Sequence, residues 1–122
     1  MILVDTSIWV DHFRSSDVRL AALLGANQVL THPFIVGEIA MGNLSRRSLV
    51  LGDLDDLPTV VVAEDAEVRL LIERASLFGL GIGYVDAHLL AAVRLTPGAR
   101  LWTRDRRLAD VAAGMKLGAV LP

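Results

Sequence analysis

The sequence predicts a parallel α/β sandwich, and three observations point there. Short apolar or β-branched runs alternate with helical patterns along the chain, the order that yields parallel strands joined by right-handed helical crossovers. Apolar residues make up 53% of the 122 residues and mean hydropathy is +0.51. Values that high fit a sheet covered on both faces, apolar surface kept for a partner, or both. Four carboxylates, Asp5, Glu38, Asp86 and Asp105, stand at the ends of apolar runs or inside them.

Residues 1–5 (MILVD) read as a buried strand ending on an acid. Residues 7–14 (SIWVDHFR) and 17–25 (DVRLAALLG) read as helices, the second closing at Gly25. Residues 28–31 are a strand candidate. A helix over 33–42 has Pro33 in its first turn and Gly42 at its end, and 45–56 is helical too. Thr59-Val60-Val61-Val62 is a β-branched strand after Pro58. Residues 64–78 form an amphipathic helix, with Val68, Leu71, Ile72 and Ala75 at helical spacing. Gly79-Leu80-Gly81-Ile82-Gly83 breaks that pattern. A second strong helix runs over 84–95, and Pro97-Gly98 turns the chain. Residues 99–103 are a strand, 105–114 a helix and 117–121 a short last strand.

Nothing along the chain reads as a repeat, linker or low-complexity tract, so residues 1–122 are expected to form a single domain. No apolar run approaches the roughly 18 residues of a membrane span. The N-terminus carries Asp5 and no basic segment, which predicts no signal peptide. Without cysteine there is neither a disulfide framework nor a thiolate metal site, and a cytoplasmic protein is expected.

Desolvating a carboxylate costs several kcal/mol or more, so acids among apolar neighbours call for a cation. An all-oxygen set suits Mg²⁺ or Mn²⁺. Sites in parallel sheets lie beyond the carboxyl ends of the strands, where Asp5 and Asp105 fall. Each acid also has an ordinary explanation. Asp5 can cap the helix after it, although Thr6 or Ser7 can do so instead, and Asp105 can cap the helix that follows it. Glu38 has Phe34, Ile35, Met41 and Gly42 three and four positions away, which puts it on the apolar face of its helix. Asp86 neighbours Leu89 and Leu90 on the next turn. A buried ion pair with an Arg is the structural alternative for both. One shared site explains all four acids more simply than four separate accidents.

The formal charge of −2 looks wrong for a nucleic-acid binder, but with four acids assigned to metal the remaining charge is +2. Eleven of the twelve basic residues are Arg, whose planar fork matches phosphate. Arg46 and Arg47 form one small cluster, and Arg104, Arg106 and Arg107 another. Alone these are solvated faces, whereas beside a metal site they become candidate phosphate contacts. Metal-free RNA cleavage usually needs a His pair, and His12, His32 and His88 show no pairing signal, so they read as structural or surface residues. Gly79-x-Gly81-x-Gly83 follows a helix rather than a strand, which disfavours a dinucleotide loop. Ser7 has no nearby His or Lys to activate it. Trp9 and Trp102 read as core.

Val4-Asp5-Thr6-Ser7-Ile8-Trp9 with Asp11, Glu38 in an apolar helix, Asp86-Ala87-x-x-Leu90-Ala91-Ala92, and Thr103-Arg104-Asp105-x-x-Leu108 together resemble the PIN-domain family. Within it the chain is most similar to the VapC-like ribonuclease toxins of toxin–antitoxin pairs, over its whole length. The resemblance implies a three-layer sandwich with a central parallel sheet of about five strands flanked by helices, and the acids clustered in one pocket. It maps Asp5, Glu38, Asp86 and Asp105 to the family's metal-site acids, with Thr6, Ser7 and Thr103 at supporting polar positions. It further implies Mg²⁺- or Mn²⁺-dependent endonucleolytic cleavage of RNA and homodimers. It also implies inhibition by a VapB-like antitoxin whose C-terminal segment wraps the toxin, in a heterotetramer or larger assembly without membrane.

Two metal ions roughly 3.5–4 Å apart can activate a water and stabilise both oxygens of an in-line phosphodiester displacement without His. On that reading Asp5 and Asp86 are direct ligands, while Glu38 and Asp105 complete the set directly or through water. Rival readings fit less well. A dehalogenase-type phosphatase wants Asp-x-Asp after the first strand, where Asp5 is followed by Thr6-Ser7. A phospho-receiver wants a Lys after a late strand, and the only Lys, Lys116, precedes the last one. A catalytically silent PIN domain is disfavoured by the intact acids, and an RNA-processing PIN nuclease stands as the alternative to a toxin.

Overall fold

Leu3 and Val4 have no exposed surface, and the strand that carries them is the axis of the sheet. The structure is a computed structural model and describes residues 1–121. β1 (Ile2–Val4) pairs in parallel with β2 (Val29–Leu30) on one side and β3 (Arg100–Trp102) on the other, in the order β2-β1-β3. Register sets Leu3 opposite Leu30 and Leu101, and Val4 opposite Trp102. Such short strands, apolar except for the exposed Arg100 at the start of β3, are what a sheet between helices requires.

Among the described residues the sheet has three strands rather than about five, because the two expected outer strands shrink to single bridges. Thr59 pairs with Thr31, and Gly118 with Leu101. Each ladder stops because its inner neighbour soon becomes a helix. Beyond Thr31 the chain enters a helix at Pro33, and the Val61 N–H bonds to Thr96 Oγ1 at 2.9 Å instead. On the other edge the Leu117 carbonyl and the Ala119 N–H bracket Leu101, after which the chain turns towards a helix at Arg106.

Every strand feeds a helix. β1 leads to α1 (Thr6–Arg14) and then α2 (Val18–Gly25); β2 leads to α3 (Pro33–Ala40) and then α4 (Arg47–Asp55). α5 (Asp65–Arg74) packs against α6 (Tyr84–Leu95), which returns to β3, and β3 leads to α7 (Arg106–Gly114). Side chains of Asp5, Asp17 and Asp105 cap α1, α2 and α7, and the His32 ring caps α3 ahead of Pro33. α6 buries every residue from Ala87 to Val93, which explains its nearly uninterrupted apolar sequence. α5 ends at Arg74, short of the expected 78, where Ser76 turns to φ 52°. Trp9 and Trp102 are core residues, as expected. Among the described residues no helix is long and apolar enough to cross a membrane.

Candidate metal site at the carboxyl ends of the strands

Asp5 is the first residue past β1, and its backbone N–H still bonds to the Trp102 carbonyl of β3 at 2.9 Å. That bond places the carboxylate where the chain switches from sheet to helix. Oδ1 accepts the Thr6 N–H at 2.8 Å and so caps α1, a task the sequence had left open to Thr6 or Ser7. Capping needs only one oxygen. Oδ2 accepts the hydroxyls of Thr103 at 2.6 Å and Ser7 at 3.3 Å, two donors aimed at a buried carboxylate from different ends of the chain.

Asp105 is reached through the same hydroxyl, since its backbone N–H donates to Thr103 Oγ1 at 3.0 Å. Its side chain caps α7 through the Leu108 N–H at 3.1 Å. Asp86 lies in the first turn of α6, half-buried, and accepts the Gly83 N–H at 3.0 Å. Burial pushes its carboxyl above the usual carboxylate range. The Gly83 N–H opposes that shift, while the negative charges of Asp5 and Asp105 add to it. The structure therefore brings Asp5, Asp86 and Asp105 into one another's field.

Glu38 is placed differently from the expectation. It is exposed, as are Phe34 and Met41, whereas Ile35 and Ile39 are buried in the core and Val36 packs partly against it. α3 is apolar all round, so its composition did not reveal which side is buried. Glu38 Oε1 accepts the Thr6 hydroxyl at 2.8 Å, which links it to the residue after Asp5.

None of these four acids forms an ion pair with a described Arg, Lys or His. Nor do three described Asp, Glu or His side chains converge closely enough to enclose an ion. The donor set is all oxygen, carries uncompensated negative charge, and has one carboxylate oriented by two hydroxyls. That chemistry fits a hard divalent cation.

The basic clusters divide. Arg47 donates to the carbonyls of Ala40 at 2.6 Å and Gly42 at 3.2 Å, which satisfies the end of α3. Arg104 is paired with Asp11 at 2.6 Å and with Asp17 at 2.9 Å. Both guanidinium groups, though exposed, are thus engaged by other residues of the chain. Arg46 and Arg106 are exposed, and Arg107 is exposed and lies over Gly81. Arg46 also lines a groove of about 660 Å³ with Val10, Phe13 and Glu38.

Two arrangements went unread in the sequence. One is the Arg104 clamp on Asp11 and Asp17. The other is Asp65 Oδ1, which meets both the Tyr84 hydroxyl and His88 Nε2 at 2.9 Å. Acidic residues on α1, α2 and α5 were visible, but no local spacing shows which distant base each one meets.

The family model described as PIN domain matches residues 2–114. The chain is 47% identical over 113 residues to Ribonuclease VapC32 of Mycobacterium tuberculosis, covering 93% of this chain and 91% of the relative. The same identity and coverage hold for the protein of that name in strains CDC 1551 / Oshkosh and ATCC 25618 / H37Rv.

Proposed function

This chain belongs to the PIN-domain family, and from that premise we propose that it is the ribonuclease toxin of a toxin–antitoxin pair, an Mg²⁺- or Mn²⁺-dependent endoribonuclease. The observation that carries the reading is Asp5, buried at the tip of the central strand, with one oxygen capping α1 and the other held by Thr103 and Ser7. A cap alone has no use for two further hydroxyl donors.

Asp5 and Asp86 are the direct ligands in this proposal, with Asp105 and Glu38 completing the set directly or through water. A bound divalent cation would supply Lewis-acid stabilisation of the phosphate and lower the pKa of a water nucleophile. The protein's own part is orientation. Thr103 holds Asp5 and the start of the 103–105 turn together, Ser7 adds a second donor to Asp5, and Thr6 holds Glu38. The exposed guanidinium groups of Arg46, Arg106 and Arg107 are the candidate contacts to RNA phosphates.

A VapB-like antitoxin, homodimerisation and assembly into a heterotetramer or larger follow in the same proposal. Exposed apolar side chains support it, among them Val10, Phe13, Met41, Phe78 and Leu80. The test is cleavage of a structured RNA in EDTA and then in Mn²⁺, with growth arrest on expression and its relief by a small antitoxin gene beside this one. Cleavage that persists in EDTA would remove the metal, and growth unaffected by an active nuclease would move the role to RNA processing.

A further inference from the structure

Arg104 stands between two residues of the proposed site, Thr103 and Asp105, yet its half-exposed side chain is held by carboxylates from the α1–α2 region. Its Nε lies 2.6 Å from Asp11 Oδ2 on α1, and a terminal nitrogen lies 2.9 Å from Asp17 Oδ2. Asp17 is itself anchored, because its other oxygen caps α2 through the Arg19 and Leu20 N–H groups. The Arg104 backbone N–H donates to Ser7 Oγ at 3.1 Å, and Ser7 donates in turn to Asp5 Oδ2.

The 103–105 turn has no ladder to hold it, since β3 ends at Trp102. What fixes it is the Thr103 hydroxyl on Asp5, the Ser7 hydroxyl under the Arg104 N–H, and the guanidinium clamp on two helices. We propose that Arg104 is a positioning residue: its grip on Asp11 and Asp17 holds the 103–105 turn so that Thr103 and Ser7 keep Asp5 Oδ2 oriented towards the metal. The inference rests on the metal reading above and departs from the expectation that Arg104 contacts RNA phosphate. The ordinary alternative is a half-exposed ion triad of the kind that contributes little.

The three readings predict different results for Arg104→Ala. Thermal unfolding followed across a Mn²⁺ titration, without RNA, reports metal binding by its stabilisation of the fold. Steady-state cleavage reports KM and kcat separately. If Arg104 positions Asp5, half-maximal stabilisation should need roughly tenfold more Mn²⁺ than in the wild type, the scale of losing a partner that orients a ligand. kcat should fall at subsaturating metal, while KM for RNA stays within about twofold of the wild type. Arg104→Lys, able to reach only one of the two carboxylates, should fall between Ala and wild type.

A phosphate contact would instead raise KM and flatten the salt dependence of RNA binding, with the Mn²⁺ midpoint unmoved. That outcome overturns the proposal, as does an Arg104→Ala protein indistinguishable from wild type in both assays. Should Arg104→Ala fail to fold, Asp11→Asn removes one anchor and must shift the Mn²⁺ midpoint in the same direction, or the proposal is wrong. A wild type that shows no response to Mn²⁺ would overturn the metal reading itself and this inference with it. A responsive wild type matched by an equally responsive variant would overturn this inference alone.

Discussion

Asp65 on α5 and His88 on α6 meet at 2.9 Å, an exposed carboxylate on a buried imidazole. An ionised carboxylate only accepts, so His88 Nε2 donates to it, and Nδ1 is buried without a hydrogen-bond partner. The same Asp65 oxygen takes the Tyr84 hydroxyl, and these two hydrogen bonds hold the Asp65 carboxyl below its ordinary range. Tyr84 and His88 flank Asp86, so one carboxylate steadies α6 on both sides of a proposed ligand.

Asp65→Ala should therefore lower the melting temperature at neutral pH, because it strands a second buried nitrogen of His88. Asp65→Asn, which keeps an acceptor, should lose less. Equal melting temperatures for Asp65→Ala and wild type would show that the α5–α6 packing does not need the pin.

His32 sets a pH dependence. Its Nδ1 accepts the Phe34 N–H at 3.0 Å, so Nε2 bears the proton, and that atom is buried without a partner. Burial, with a smaller contribution from the charge of His88, depresses its pKa from 6.5 to about 4. Between those values the unfolded chain binds a proton that the native protein refuses, so stability rises with pH across that window. Stability should be fully present above pH 6.5 and should fall by roughly 3 kcal/mol on acidification through the folded pKa. His32→Asn can still cap α3 and should flatten the curve. Urea unfolding at a series of pH values measures this, and an unchanged slope in His32→Asn would assign the loss to other groups.

Gly81 has φ +80°, and a Cβ there would run into the Arg107 guanidinium. Gly81→Ala should cost about 1–2 kcal/mol from the left-handed backbone, plus whatever Arg107 loses by moving. Adding Arg107→Ala should recover the steric part and leave the backbone part. A single variant as stable as wild type by urea unfolding would mean that the loop relaxes freely.

How much of this was legible in the sequence follows from the range of each interaction. β1, β3 and the seven helices of the described residues were readable, because burial and capping leave local signs: apolar runs, Pro33, and acids at the starts of α1, α2 and α7. The two outer strands were misread because residues 59–62 and 117–121 have strand chemistry, but their extended neighbours end after a single bridge. Glu38 was placed on the wrong side because an eight-residue helix with apolar residues all round has no polar face to orient it. The Arg104–Asp17 pair spans 87 residues and the Thr103–Asp5 bond 98, separations over which no periodicity carries information. The acids could be picked out by their apolar surroundings, but the hydroxyls and the clamp that orient them emerge only from the fold.

Asp86→Asn separates a ligand from a cap. The wild-type carboxyl is half-buried, shifted upward chiefly by burial, and repelled by Asp5 and Asp105, so its charge at neutral pH is a burden on the metal-free fold. Asn keeps the shape and an oxygen for the Gly83 N–H at 3.0 Å, so the helix start is preserved. In EDTA the variant should be at least as stable as wild type. Stabilisation by Mn²⁺ should nearly vanish, and RNA cleavage should drop by more than the roughly 10–100-fold typical of losing a residue that merely orients a ligand. If Asp86 is only a cap, the EDTA form loses at most the small helix-dipole benefit of the charge, and the response to Mn²⁺ and the cleavage rate are intact. Melting in EDTA, melting in Mn²⁺ and cleavage of a structured RNA decide between the two. A variant that cuts at the wild-type rate removes Asp86 from the site.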